Sequence, residues 1–215
     1  MRKLYIYFLM ALSVISVIGI ADLKKATAEK DSHISTAKQL TYLHQQSFAC
    51  IKKHAAILKS FAIANNSNHH YGFLIDMRMP SGNKRFFVYD FKNDLIVCSG
   101  LVTHGSGSNI VGPDSLIFSN TAGSNCSSLG IYKVGKPYFG KFGLAYKLHG
   151  LQQTNSNAYL RNVVLHAHPF VPDREIAPLK ICRSWGCPTV SPLFLKQLKT
   201  YLDQPGADIL LSIFY

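Results

Sequence analysis

Carboxylates are scarce in this chain: 11 Asp and Glu stand against 23 Lys and Arg in 215 residues, and the formal net charge is +12. So basic a surface favours polyanionic partners, although a generally solvated basic face accounts for the same imbalance. No RNA- or DNA-binding motif accompanies the charge, which sets nucleic acid aside as a partner. There is no internal repeat or low-complexity tract, so a repeat array is excluded. No His-Glu-x-x-His element supplies a base beside a metal-bound water. No cysteine directly follows the apolar N-terminal run, which argues against a lipid-modified N-terminus.

What is present points to an exported protein. Arg2 and Lys3 precede an apolar run from Leu4 to Ile20, with Gly19 and Ala21 placed as a signal peptidase requires. Residues 1–21 are therefore expected to be a secretory signal, and the chain to act in the periplasm or cell envelope. If the signal stays uncleaved it is an anchor and the chain's one membrane contact. The remainder, with a hydrophobic content of 47% over the whole chain, suits one folded domain and a short appendage. Five cysteines, Cys50, Cys98, Cys126, Cys182 and Cys187, leave at least one thiol free or intermolecular even where thiols pair. Which of them pair, and the oligomeric state, stay open.

Hydrophobic spacing divides the rest. Leu40, Leu43, Ile51, Ala55, Leu58 and Phe61, with small polar Ser47 filling the one gap, recur at three- and four-residue steps, predicting one or two amphipathic helices within a segment 22–70 that ends in the polar "NNSNHH". His69 and His70 there, with no partner motif, read as solvent-exposed. From Tyr71 the period changes. "YGFLIDMRM", "RFFVYDF" and "LIVCSGLV" are strand-like runs separated by turn compositions, a β-meander. A Gly- and Ser-rich tract from His104 to Gly150 reads as turn-rich β structure that can wall a groove. "RNVVLHAH" and "ADILLSIFY" are strands, and Ser191 with Pro192 caps a helix bearing Leu195, Leu198 and Leu202 on one face.

The densest chemistry lies in "VVLHAHPFVPDREIAPLKICRSWGCPTVSP", residues 163–192. Three readings compete. His166 and His168 alternate along a strand and share a face, so with Cys182 or Cys187 they suggest zinc, although Cys-x4-Cys is wide for a zinc knuckle. A Cys182–Cys187 disulfide closes a loop but consumes both thiols. In the third reading, the glycine in "SWGC" allows a tight turn whose N–H groups at Trp185, Gly186 and Cys187 converge on an oxyanion, beside a thiol nucleophile and a strand imidazole.

This last pattern, a strand histidine at His166, a loop, then Ser-x-Gly-Cys at Ser184 to Cys187, resembles the L,D-transpeptidase (YkuD-like) family. The stretches "YGFLIDMRMPSGNKRFFVYDFKNDLIVCSGLVTHGSGS" and "FSNTAGSNCSSLGIYKVGKPYFGKFGLAYKLHGLQQTNSNA" are similar to the branch of murein L,D-transpeptidase catalytic domains, over residues 71–215. The chain departs from better-known members at Pro188 and Thr189, where an aliphatic residue and then Arg or Asn is usual, and at Ala167, where Gly or Ser is usual. The resemblance implies a mainly β, sandwich- or barrel-like catalytic fold with N-terminal helical structure and a helix after the cysteine.

It also implies chemistry. Cys187 attacks the carbonyl on the L-side of a D-residue in a peptidoglycan stem peptide, His166 takes its proton, and the Ala167 carbonyl orients the imidazole. Gly186 and Cys187 N–H groups receive the oxyanion, within the turn that Ser184 opens. A thioester then passes to an acceptor amine, with no metal and no organic cofactor. Tyr138, Lys147 and Arg183 are candidates for gripping stem carboxylates, and His104, His149 and Trp185 for lining the cleft. A hydrolase on the same scaffold, or a non-catalytic wall-binding module, is the alternative.

Overall fold

A computed structural model describes residues 46–109 and 115–215; the expected signal at 1–21 and the helical positions Leu40 and Leu43 lie outside them. The chain divides into two compact units, Met1–Cys50 and Ile51–Tyr215. The described part of the first is helical. Everything below concerns the second. Among the described residues no helix is long and apolar enough to cross a membrane.

In the second unit residues 51–64 are helical (α1), and Ile51, Ala55, Leu58 and Ala62 are its buried positions; the spacing predicts the first three, but the stripe closes on Ala62 rather than on the expected Phe61, which is only partly buried. The compact unit begins at Ile51, so it takes in α1 from that residue onward together with the sheet. Eight strands follow: β1 Tyr71–Asp76, β2 Phe86–Asp90, β3 Leu95–Gly100, β4 Gly130–Gly140, β5 Gly143–Gly150, β6 Val164–Ala167, β7 Thr189–Val190 and β8 Leu210–Phe214, with helix α2 at Pro192–Leu202. They form one sheet in the order β3-β2-β1-β8-β4-β5-β6-β7. β1 pairs with β8, and β6 with β7, in parallel; the other pairings are antiparallel.

The meander strands read as continuous apolar runs because both faces of β1, β2 and β8 are covered. On one face Phe73 meets Phe86 edge-on at 5.4 Å, and Phe86 meets Phe194 of α2 at 5.3 Å. On the other, His54 of α1 stacks on Phe214 of β8 at 3.7 Å. Gly72 sits where a Cβ would run into Leu58 and Phe91. The Ser191 hydroxyl accepts the Phe194 N–H at 3.1 Å with Pro192 at the first helical position, so α2 starts where its cap signal stands.

The glycine-rich tract resolves into two regions. Its second half is the β4–β5 hairpin, whose register shifts between Val134 and Pro137, where proline has no N–H to give the ladder. Beyond that shift the hairpin tip is exposed: Phe139 and Phe142 are 85% and 48% accessible. The described part of its first half, residues 104–109 and 115–129, is mostly irregular, held by serines that serve as backbone partners: Ser108 Oγ accepts from Ser127 N, and Ser127 Oγ from Gly105 N.

Phe194 links α2 to the sheet and is 4% exposed. Phe194→Ala should lower unfolding stability by about 3–5 kcal/mol in urea titration; a loss under about 1 kcal/mol would contradict this packing.

Candidate active site

Strand β6 carries His166, and its two neighbours fix where the imidazole sits. Antiparallel pairing places Ala145 of β5 opposite His166, and parallel pairing places Thr189 of β7 opposite it. His166 is 5% exposed. Its Nδ1 lies 3.0 Å from the Ala167 carbonyl and its Nε2 3.0 Å from Thr189 Oγ1. A carbonyl only accepts, so Nδ1 carries the proton, Nε2 holds the lone pair, and Thr189 donates to it. The Phe142 ring from the hairpin tip stacks on the imidazole at 4.7 Å.

The turn at Ser184–Cys187 is stitched to the segment 103–106 at both ends. Ser184 N–H donates to His104 O at 3.0 Å, Ser106 N–H donates to Ser184 O at 2.7 Å, and Thr103 Oγ1 donates to Cys187 O at 3.2 Å. Ser184 Oγ bridges the turn, donating to Cys187 O at 2.6 Å and accepting the Gly186 N–H at 3.2 Å. Gly186 has φ of +111°, and a Cβ there would lie 2.7 Å from Cys126 O, so the position requires glycine. Arg161 holds the loop behind it, giving Nη2 to Cys126 O at 2.6 Å and Nη1 to Ser119 O at 2.8 Å.

These elements bring Cys187 and His166 into one pocket of about 300 Å³, with Thr103, Lys141, Phe142, His168, Phe170, Cys182, Arg183, Ser184, Trp185 and Thr189. No hydrogen bond joins the thiol to the imidazole. Cys187 Sγ instead accepts the Val164 N–H at 3.5 Å and faces Asn162 O at 3.8 Å. Burial pushes the thiol above its ordinary pKa, against the Val164 N–H and the charges of Arg161 and Lys147. Burial also pulls His166 below the ordinary imidazole value, with the Ala167 carbonyl opposing and His168 adding to the fall. Both shifts favour the neutral forms, a thiol and a base, the starting point for proton transfer on attack.

One expectation needs correcting. Gly186 N–H is turned to Ser184 Oγ by the local Ser-x-Gly turn, so it is not a free donor; among the described residues the Trp185 and Cys187 N–H groups have no acceptor. The other expected residues separate into two groups. Arg183, Ser184 and Trp185 line the pocket, whereas Tyr138 of β4 is not among its lining residues; burial and then the Cys187 charge raise its pKa. Lys147 acts on Cys187 electrostatically while its Nζ donates to Asn162 Oδ1 at 2.6 Å.

His104 and His149 lie elsewhere. His104 is buried, with Nδ1 2.9 Å from Arg85 Nη2 and Nε2 on Asn109, and its pKa falls to about 4 through burial and the Arg85 charge. Only its backbone serves the site, by anchoring Ser184. His149 stacks on Tyr159 at 5.0 Å outside the pocket. Sequence spacing does not point to Thr189, Arg161 or Phe142, because each reaches the site through tertiary pairing.

As for metal, His166 has both ring nitrogens engaged and His168 Nδ1 accepts the Phe170 N–H at 3.3 Å. Among the described residues no group of three or more His, Cys, Asp or Glu is placed to hold an ion. The five cysteines are free thiols. Cys182 shares the pocket but turns its Sγ to Phe170 O at 3.8 Å and packs with Leu101, Val171 and Ile181.

The chain belongs to the L,D-transpeptidase catalytic domain family, whose model matches residues 43–207. No curated protein matches it. Solved structures similar to it include the Ldtfm–avibactam carbamoyl enzyme (10% identity, TM-score 0.42, covering 68% of this chain and 49% of that one). Another is a variant of the helical cell shape determining protein Pgp2 from Campylobacter jejuni (10%, 0.43, 66% and 46%). A third is the L,D-transpeptidase from Mycobacterium smegmatis (11%, 0.39, 68% and 59%). The chain spans less than two thirds of the length of each.

A raised thiol pKa has a kinetic signature, because the thiolate is the nucleophile. Iodoacetamide alkylation of Cys187, followed by peptide mapping, should rise about tenfold per pH unit up to and beyond the ordinary thiol range. A fast plateau near about pH 6 would instead reveal a standing ion pair.

Proposed function

We propose that this protein is a cysteine-dependent peptidoglycan L,D-transpeptidase working through a thioester. The observation that carries the reading is the meeting of the Cys187 thiol with a neutral His166 whose lone pair is at Nε2, in one pocket. His166 Nε2 takes the thiol proton as Sγ attacks the carbonyl on the L-side of a stem D-residue. The Cys187 N–H receives the oxyanion, a contact worth on the order of 3 kcal/mol. The tetrahedral species collapses as His166 returns the proton to the departing amine, and an acceptor amine then releases the acyl group. Acyl transfer by a thiol needs no metal or organic cofactor.

The cations support an anionic peptide substrate. Lys141 and Arg183 line the pocket, Arg161 and Lys147 act on Cys187, and among the described residues none of the four has a carboxylate within ion-pair distance. Stem carboxylates would supply the missing charge. Trp185 and Phe170, both pocket-lining, stand 76% and 74% exposed at the rim. The proposal includes export, with residues 1–21 as the signal, 22–70 as a helical lead-in and 71–215 as the catalytic domain. The substrate then lies in the periplasm or cell envelope.

Mass spectrometry of muropeptides incubated with the protein and an acceptor amine tests this. Exchanged or crosslinked stems should appear, be absent with Cys187→Ala, and fall at least about 100-fold with His166→Ala. Products that persist with Cys187→Ala would overturn the reading. Release of the D-residue without transfer to the amine would make the protein a hydrolase on the same scaffold.

A further inference from the structure

Thr189 occupies a position over-determined by its surroundings. It is 3% exposed and pairs with His166 across β6 and β7. Its N–H donates to Thr103 Oγ1 at 3.1 Å, and its carbonyl accepts the Thr103 N–H at 2.9 Å. Its backbone is thus tied on both sides, and its β-branched side chain has little rotamer freedom. Among the described residues, the one hydrogen bond its hydroxyl makes is to His166 Nε2, at 3.0 Å.

We propose that Thr189 is a positioning residue that fixes His166 as an Nε2 base and holds the ring through both of its protonation states. The proposal rests on the thioester reading above. Ala167 O secures the Nδ1 proton at one end of the ring, and the Thr189 hydroxyl marks the lone pair at the other. When Nε2 takes the thiol proton it releases the Thr189 hydrogen. The hydroxyl rotates about its C–O bond and accepts from the new N–H, and this charge-assisted bond is the stronger of the two. Thr189 therefore favours the imidazolium over the neutral ring, as the Ala167 carbonyl does.

That matters because little else facing His166 does so. Lys141 stands on the hairpin tip, His168 follows on the same chain segment, and Arg183, Cys182 and Cys187 come from the loop. Among these groups only an ionised thiol would stabilise a cation, and none is a carboxylate. Burial already holds the imidazole below its ordinary range. Without the hydroxyl, the ring keeps one tether and becomes a weaker base.

The test combines titration with rates. Thr189→Val keeps the branched shape and removes the hydroxyl; Thr189→Ser keeps the hydroxyl. In Thr189→Val the formation of the Cys187 adduct with a tetrapeptide stem should slow by about tenfold or more, and Thr189→Ser should restore most of it. NMR titration of His166, in a Cys187→Ala background, should show its midpoint lower with Thr189→Val and recovered with Thr189→Ser. A merely structural role moves the folded fraction without moving that midpoint. Nitrogen shifts of the unmodified protein add a readout without a variant at Thr189, and should show the Nδ1–H tautomer. An unmoved midpoint, a Thr189→Ser protein as slow as Thr189→Val, or the Nε2–H tautomer would overturn the proposal. Because titration and shifts need no substrate, they separate its failure from failure of the transpeptidase reading.

Discussion

The parallel pairing of β6 with the two-residue strand β7 is the constraint on which the site depends. It sets His166 opposite Thr189 and Ala167 opposite Val190, and the ladder continues as His168 N–H donates to Val190 O at 2.9 Å. Two residues of strand could not hold a register alone. Thr103 clamps the far side of β7, Val190 is fully buried in the main core, and Ser191 caps α2 directly after it. The turn carrying Cys187 is therefore bounded by a pinned strand and by the bridge of Gly105 to Ser184. A loosened β7 would move base and thiol apart without touching either.

Charge is organised in the same economical manner. Arg85 is 1% exposed and spends its guanidinium on Val102 O, Met79 O and His104 Nδ1, which shapes the segment that clamps the Cys187 turn. Arg161 does likewise for the loop behind Gly186, bonding only carbonyl and hydroxyl oxygens. Both arginines thus serve as scaffolds for irregular backbone. Arg161 also leaves its positive charge near Cys187, where burial otherwise disfavours a thiolate. The pocket combines burial that favours the neutral thiol and imidazole with a basic margin of Lys141 and Arg183.

Elements with a local cause were legible in the sequence. The α1 stripe, the three meander strands, β8 and the Ser191 cap follow from period, turn composition and capping, which act within a few residues. The glycine- and serine-rich tract was legible only as turn-rich β structure. Its serines find backbone partners about twenty positions away, as Ser108 does at Ser127. In the site, His166 and the Ser184–Cys187 turn stood out because strand alternation and a glycine turn leave local marks. His104 reads from the sequence as a cleft residue, but it is buried against Arg85 of the segment leading into β2, and no local pattern announces that contact. Thr189 was visible only as a departure from the usual residue; its contact with His166 needs the β6–β7 register.

The central claim is that Cys187, and not its pocket neighbour Cys182, carries the acyl group. Cys182 is half-buried against Leu101, Val171 and Ile181, and burial raises its pKa without the Arg161 and Lys147 charges that act on Cys187. Intact-protein mass spectrometry after brief exposure to a tetrapeptide stem, with peptide mapping of the adduct, is the most direct measurement. The account predicts a mass gain equal to the stem less its terminal D-residue, mapped to Cys187 and retained in Cys182→Ala. An adduct mapped to Cys182, or one that survives in Cys187→Ala, would contradict it.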